Sequence, residues 1–176
     1  SQMSGVTQMS TGSGISKPVI RGLTGSRVLV YNQGVRLENF QYGDFHGIGI
    51  NESGISSVEV IKGPASLLYG SDAVGGVLYL VPEKYARAGQ TKVNIKSQYT
   101  SNTQGINSTI GVKTSLDKFQ FLARGAFNTN ADYTVANTNR VTNSRYNDKD
   151  FKTGLGFKGN GFSTDIRYNF NRAQNG

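Results

Sequence analysis

The sequence predicts an α+β unit with a small mixed sheet over residues 1–88, followed by antiparallel strands of membrane-barrel type over residues 89–176. Three observations predict this. From residue 91 onward, apolar and polar side chains alternate with a period of two, the period of a strand. Before residue 89 the chain instead shows short β-rich runs broken by glycine and proline. The charge is also uneven: residues 1–88 hold 7 basic and 6 acidic side chains, residues 89–176 hold 12 and 5. That shift supports a boundary between Pro82 and Gly89.

In the first part, residues 1–17 read as irregular chain. A strand runs from Arg27 to Tyr31 and turns at Asn32-Gln33-Gly34. Residues 55–62 alternate as a second strand, ended by Gly63-Pro64. Pro64 suits the first position of a short helix through Leu67 and Leu68, with Gly70 as its C-cap. Gly75-Gly76 leads into a third strand, Val77 to Val81, stopped by Pro82. With few large apolar residues, so small a unit is marginal alone. The run from Gly70 to Gly76 has the spacing of a phosphate-binding loop. Gly76 stands where that loop needs Lys, and Val77 where it needs Ser or Thr. These glycines read better as turns and tight packing.

In the second part, five segments alternate. Val93, Ile95 and Tyr99 oppose Lys92, Asn94, Lys96 and Gln98 in residues 91–101. Ile106, Ile110, Val112 and Leu116 oppose Asn107, Thr109 and Lys113 in residues 106–116. Phe119, Phe121 and Phe127 oppose Gln120, Arg124 and Asn128 in residues 119–128. Phe151, Leu155 and Phe157 oppose Lys152 and Lys158 in residues 151–159. Phe162, Ile166, Tyr168 and Phe170 oppose Asp165 and Arg167 in residues 162–170. Asp117-Lys118 and Asn160-Gly161 read as two-residue turns. Residues 102–105 and the polar stretch 131–150 are the other links. Short turns alternating with longer polar loops are the habit of outer-membrane barrels. Strands of about 11 residues tilted near 45° span the hydrocarbon. The charged, glycine-bearing face reads as a wet lumen, lined by Lys92, Lys96, Lys113, Arg124, Lys152, Lys158 and Arg167. A soluble antiparallel sandwich alternates too and is the alternative. Five strands cannot close a barrel, and open edges are not viable in lipid. A barrel reading therefore makes the chain a fragment.

Composition removes several function classes. There is no Cys and a single His, His46. A thiolate site, a disulfide framework and a His-built metal or catalytic site are therefore not expected, and no catalytic residue is assigned. The net charge is +8, but the basic residues alternate with apolar ones and form no nucleic-acid motif. No run of 18 apolar residues occurs, so no membrane helix is expected. Residues 1–20 do not resemble a signal peptide, and the first residue is Ser1. The chain is read as a mature product or a piece of something larger.

The segment Val58 to Val77, VEVIKGPASLLYGSDAVGGV, resembles the most recognisable plug signature of TonB-dependent outer-membrane receptors. Ile20-Arg21-Gly22 resembles a second one. Residues 71–77 look closer to siderophore and cobalamin receptors than to glycan receptors, and residues 79–84 look like receptors of the Bacteroidetes. The resemblance implies a plug domain, truncated at its N-terminal side, and the first five or so strands of a barrel of about 22. One departure is the Asn32-Gln33-Gly34 turn, where the family commonly has Asp-Gly.

Family resemblance further implies energised uptake of a scarce ligand: an iron-siderophore, haem, cobalamin or metal complex. Such a receptor is not an enzyme and carries no cofactor. It sits in the outer membrane of a Gram-negative bacterium, among outer-membrane lipid. Its partners are TonB, the inner-membrane energising complex and the ligand, with no nucleic acid. An apical plug loop in residues 40–50 would offer Phe40, Tyr42, Asp44 and His46 to the ligand. Arg21 and Lys62 would anchor plug to barrel wall through carboxylates on strands outside this chain. Acidic residues elsewhere, or Glu38, Glu52, Glu59 and Asp72, would neutralise the basic lumen face. Alternatives are a signalling outer-membrane receptor and a soluble β-rich binding module.

Overall fold

The computed structural model describes residues 4–12, 15–38, 51–135 and 139–175. The chain divides into two compact units. One comprises Ser1–Gly49 and Ile55–Glu83; the other comprises Ile50–Gly54 and Lys84–Gly176. The chain thus leaves the first unit briefly and returns to it.

The first unit opens with a hairpin, β1 (Val6–Gly12) and β2 (Ile15–Ile20), paired antiparallel. It replaces the irregular chain expected over residues 1–17. Polar and small residues dominate it, so it lacks the apolar alternation that marks a strand in sequence. A four-stranded mixed sheet follows in the order β4-β3-β6-β5. Its strands are β3 (Val28–Asn32), β4 (Val35–Leu37), β5 (Ile55–Ile61) and β6 (Gly76–Pro82). β3 and β6 run parallel; the other pairs are antiparallel. Gln33 and Gly34 both have positive φ, 55° and 83°. That is the two-residue hairpin geometry whose twist matches the flanking strands.

The short helix is a 3-10 helix over Gly63–Tyr69, with Pro in its first turn and Gly70 as its C-cap. The buried Ser66 hydroxyl lies 2.8 Å from the carbonyls of both Gly63 and Ala73, which ties this turn to the chain entering β6. Leu29, Ala73 and Val77 are fully buried at the centre, with Tyr31, Ile61 and Tyr69 packed around them. The Tyr31 hydroxyl donates to the Tyr69 carbonyl at 2.9 Å. Gly75 and Gly76 are packing glycines: a Cβ on Gly76 would sit 2.8 Å from the Ile61 carbonyl oxygen.

The second unit is one antiparallel sheet in the order β11-β10-β9-β8-β7. Its strands are β7 (Gln90–Thr100), β8 (Gly105–Leu116), β9 (Phe119–Asn130), β10 (Tyr146–Lys158) and β11 (Ser163–Asn175). Asp117-Lys118 closes a two-residue hairpin, since Leu116 pairs with Phe119. The ladder pairs Lys158 with Ser163, and the Gly159 amide donates to the Phe162 carbonyl at 2.9 Å, which closes the two-residue turn at Asn160-Gly161. β10 starts at Tyr146, five residues before the expected Phe151, and takes Asp148 and Asp150 out of the polar loop into the sheet.

The two faces of this sheet invert the water-soluble rule. Ile95 is 73% exposed and Ile110 58%, while Asp150 and Lys152 on the other face are 5% and 4% exposed. A sheet with apolar side chains outward and charges inward suits lipid outside and a polar interior; a soluble sandwich has the opposite arrangement. No helix among the described residues is long and apolar enough to cross a membrane.

Candidate functional site

The candidate site lies on the polar face of the second unit, around β9 and β10. Antiparallel partners share a face, so the pairing defines rows of neighbours. Gly111, Arg124, Lys152 and Asn169 form one row. Lys92, Lys113, Leu122, Gly154 and Arg167 form the next. Lys96 and Lys158 fall on the same face. All seven basic residues picked from the alternation therefore share one face of the sheet.

Arg124 and Lys152 stand directly opposite each other, an arrangement that repels unless balanced. Balance comes from the same strand. Asp150 Oδ1 lies 3.4 Å from Lys152 Nζ as an ion pair. Asp148, one further alternate position along, accepts hydrogen bonds from Asn128 Nδ2 at 3.0 Å and Asn171 Nδ2 at 3.1 Å. Asn171 also reaches Asp150 Oδ2 at 3.4 Å. Arg124 finds room because Gly111 has no side chain: a Cβ there would lie 2.8 Å from the guanidinium carbon.

Residues 51–54 are fastened to this cluster. Lys152 Nζ donates to the Asn51 carbonyl at 2.9 Å and also to the Ser53 carbonyl. Asn51 Nδ2 donates to Asp148 Oδ2 at 2.6 Å. Asn51 Oδ1 accepts from the Ser53 amide at 2.8 Å, a local turn that presents both carbonyls to one ammonium. Gly54 completes the fit with φ 77°, and its α-carbon faces the Lys152 and Arg124 stems at 3.1 and 3.4 Å from an added Cβ.

A second fastening holds the start of the sheet unit. Tyr85 lies over β10, where a Cβ on Gly154 would meet its hydroxyl at 2.7 Å. Its hydroxyl donates to Asp165 Oδ1 at 2.8 Å, and the Arg167 guanidinium lies 5.0 Å from its ring centre. Arg167 Nε also pairs with Asp165 at 3.1 Å. Burial, then the bond to Asp165 and its negative charge, push the Tyr85 phenol up to about 12, against the opposing pull of Arg167. Lys113 Nζ donates to the Lys84 carbonyl at 3.3 Å.

The other site residues expected from sequence fall elsewhere. Phe40, Tyr42, Asp44 and His46 lie outside the described residues. In the first unit, Lys62 Nζ donates to the Ser4 carbonyl at 2.5 Å, and the Arg21 amide donates to the Gly5 carbonyl at 2.8 Å. Both thus meet the chain just before β1. Glu38 and Asp72 pair with Arg36 of their own unit, at 3.6 and 3.1 Å. The carboxylates beside the basic face include Asp148, Asp150 and Asp165 of the sheet itself. Sequence reading missed Asp148 and Asp150 because they sat in a stretch taken for loop. The one signal for them is spacing: Asp148, Asp150 and Lys152 fall two apart, in phase with the charged face.

A small mixed-sheet unit ahead of a sheet with apolar outer and charged inner faces defines a plug-and-barrel membrane protein class. Residues 1–77 match the family described as TonB-dependent Receptor Plug Domain. The first 77 residues are thus similar to the plug domain of TonB-dependent receptors. It is 38% identical over 81 residues to the vitamin B12 transporter BtuB of Photobacterium profundum, across 46% of this chain and 13% of that protein. It is 47% identical over 62 residues to heme/hemopexin utilization protein C of Haemophilus influenzae, across 35% of this chain and 9% of that protein. Among solved structures it resembles the copper transporter OprC with a TM-score of 0.83 at 20% identity, over 97% of this chain and 27% of that one. It also resembles the siderophore receptor PirA of Acinetobacter baumannii, TM-score 0.71 at 19% identity, over 99% and 28%. At such identities the structural likeness carries the fold. The chain spans well under a third of each of these proteins.

Proposed function

We propose that this chain is the plug and first barrel strands of an outer-membrane receptor that takes up a scarce ligand in a Gram-negative bacterium. The plug is residues 1–88 and the barrel begins at residue 89. The observation that carries the reading is the inverted sheet: Asp150 and Lys152 buried on the charged face, Ile95 and Ile110 exposed on the other. Such a sheet needs lipid outside and further strands along its edges. The relatives are named for vitamin B12, heme/hemopexin, siderophore and copper. The ligand class we assign is therefore a metal chelate or metal-containing cofactor. Uptake breaks and forms no covalent bond. Energy comes through TonB and its inner-membrane complex, acting on the plug. Phe40, Tyr42, Asp44 and His46 are assigned to ligand contact, and Arg21 and Lys62 to holding the plug against the wall.

The test is uptake in cells that carry or lack the full-length gene, using labelled haemin, cyanocobalamin and a panel of ferric siderophores. One of these should accumulate only in cells with the gene and stop accumulating when a protonophore collapses the proton gradient. Recovery of the protein in the aqueous fraction without detergent would overturn the reading.

A further inference from the structure

We propose that the contact between Lys152 and residues 51–54 is a clasp built for release. The inference rests on the uptake reading, in which energy acts on residues 1–88, and it assigns the 51–54 segment as a part of them that parts from the sheet. Its ground is what each wall group keeps when the segment leaves. Lys152 gives two hydrogen bonds to neutral carbonyls, those of Asn51 and Ser53. After release its ammonium still has Asp150, 3.4 Å away. Asp148 loses the Asn51 amide but keeps Asn128 and Asn171. Neither buried charge is stranded.

An ion pair spanning the moving boundary behaves differently. Breaking one leaves an uncompensated buried charge, a strongly unfavourable outcome. Here Lys152 and Asp148 keep partners on β9, β10 and β11. Toward Lys152 and Asp148 the departing groups are two carbonyls and one side-chain amide, all of which water can satisfy. Arg124, the other cation facing the segment, is seated over Gly111 on the sheet. The clasp is therefore specific in position and cheap to reopen. Asp150 sets the ease of reopening, because it is the partner to which Lys152 falls back.

Amide hydrogen exchange on the full-length receptor in detergent micelles tests this and needs neither ligand nor energy source. A receptor that transports nothing in the uptake assay still reports on the clasp. Lys152→Met should speed exchange across residues 51–54 by about tenfold or more, the loss of two net hydrogen bonds, while β8 and β9 stay protected. Asn51→Ala should act in the same direction without altering the sheet. Asp150→Asn should slow exchange at 51–54, since Lys152 then has nowhere else to go. Lys149→Met, beside Phe127 on the opposite face, should change nothing. The proposal is overturned if Lys152→Met matches Lys149→Met. It is also overturned if Asp150→Asn speeds exchange as Lys152→Met does, because Asp150 would then merely prop up the lysine. Loss of protection throughout β8–β10 in Lys152→Met, with no local effect in Asn51→Ala, would overturn it too.

Discussion

Tyr85 shows how much a single side chain can depend on what its neighbours lack. Its ring occupies space that any side chain at Gly154 would fill, with an added Cβ 2.7 Å from the hydroxyl. Gly154→Ala should cost about 1–3 kcal/mol through overpacking, read from urea unfolding of the full receptor in micelles. Tyr85→Phe should cost only about 1 kcal/mol, because Arg167 still satisfies Asp165. The phenol also has a pH signature. Its value is raised from 10.0 to about 12 in the folded protein, so the folded state holds this proton more tightly than the unfolded one. The stability this adds is complete below pH 10 and is lost as pH rises toward 12. Phenolate absorbance should show a late-titrating component that vanishes in Tyr85→Phe. The pairing that creates it joins residues eighty positions apart, and no local pattern in the sequence announces it.

At the scale of elements, alternation made the second half legible. Val93 to Tyr99, Ile106 to Leu116 and Phe119 to Phe127 each name a strand and its outward face, and the pairing register agrees. Where alternation is weak, the reading failed. β1 is mostly serine, threonine, glutamine and glycine, and β2 interrupts its apolar residues with Lys17 and Pro18. The first residues of β10 alternate Asn147 and Lys149 with Asp148 and Asp150, so neither face looks apolar and the segment passes for loop. The outward face carries its own prediction. Ile110 lies in the middle of β8, and Ile110→Arg should destabilise the inserted receptor by about 2–4 kcal/mol if its depth is near the bilayer midplane, measured by urea titration in lipid vesicles. In the mixed sheet, Gly76→Ala places a methyl 2.8 Å from a backbone oxygen at a φ of 132°. It should destabilise the first unit, detected as faster proteolysis within residues 55–82 while β7–β11 remain intact.

For the whole molecule, the sequence named the class through residues 58–77 but not the contacts that fasten the chain together. Lys152 was visible as one of seven basic residues of equal standing. Only the fold singles it out, by bringing residues 51–54 across a gap of about a hundred positions. The same alternation that makes these strands readable also makes them intolerant of changes in length. Asp148, Asp150 and Lys152 stay inside because they occupy every second position. One residue inserted after Tyr146 would shift the face of whatever lies between the insertion and the nearest bulge that absorbs it, sending carboxylates toward lipid. Two inserted residues would restore the parity. Insertions between Asn139 and Arg145, outside the strands, face no such rule. Library selections on the full receptor should therefore recover odd-numbered insertions in that link and only even-numbered ones within β8–β10. In this part of the chain, evolution can change length freely at the ends of strands and only in steps of two inside them.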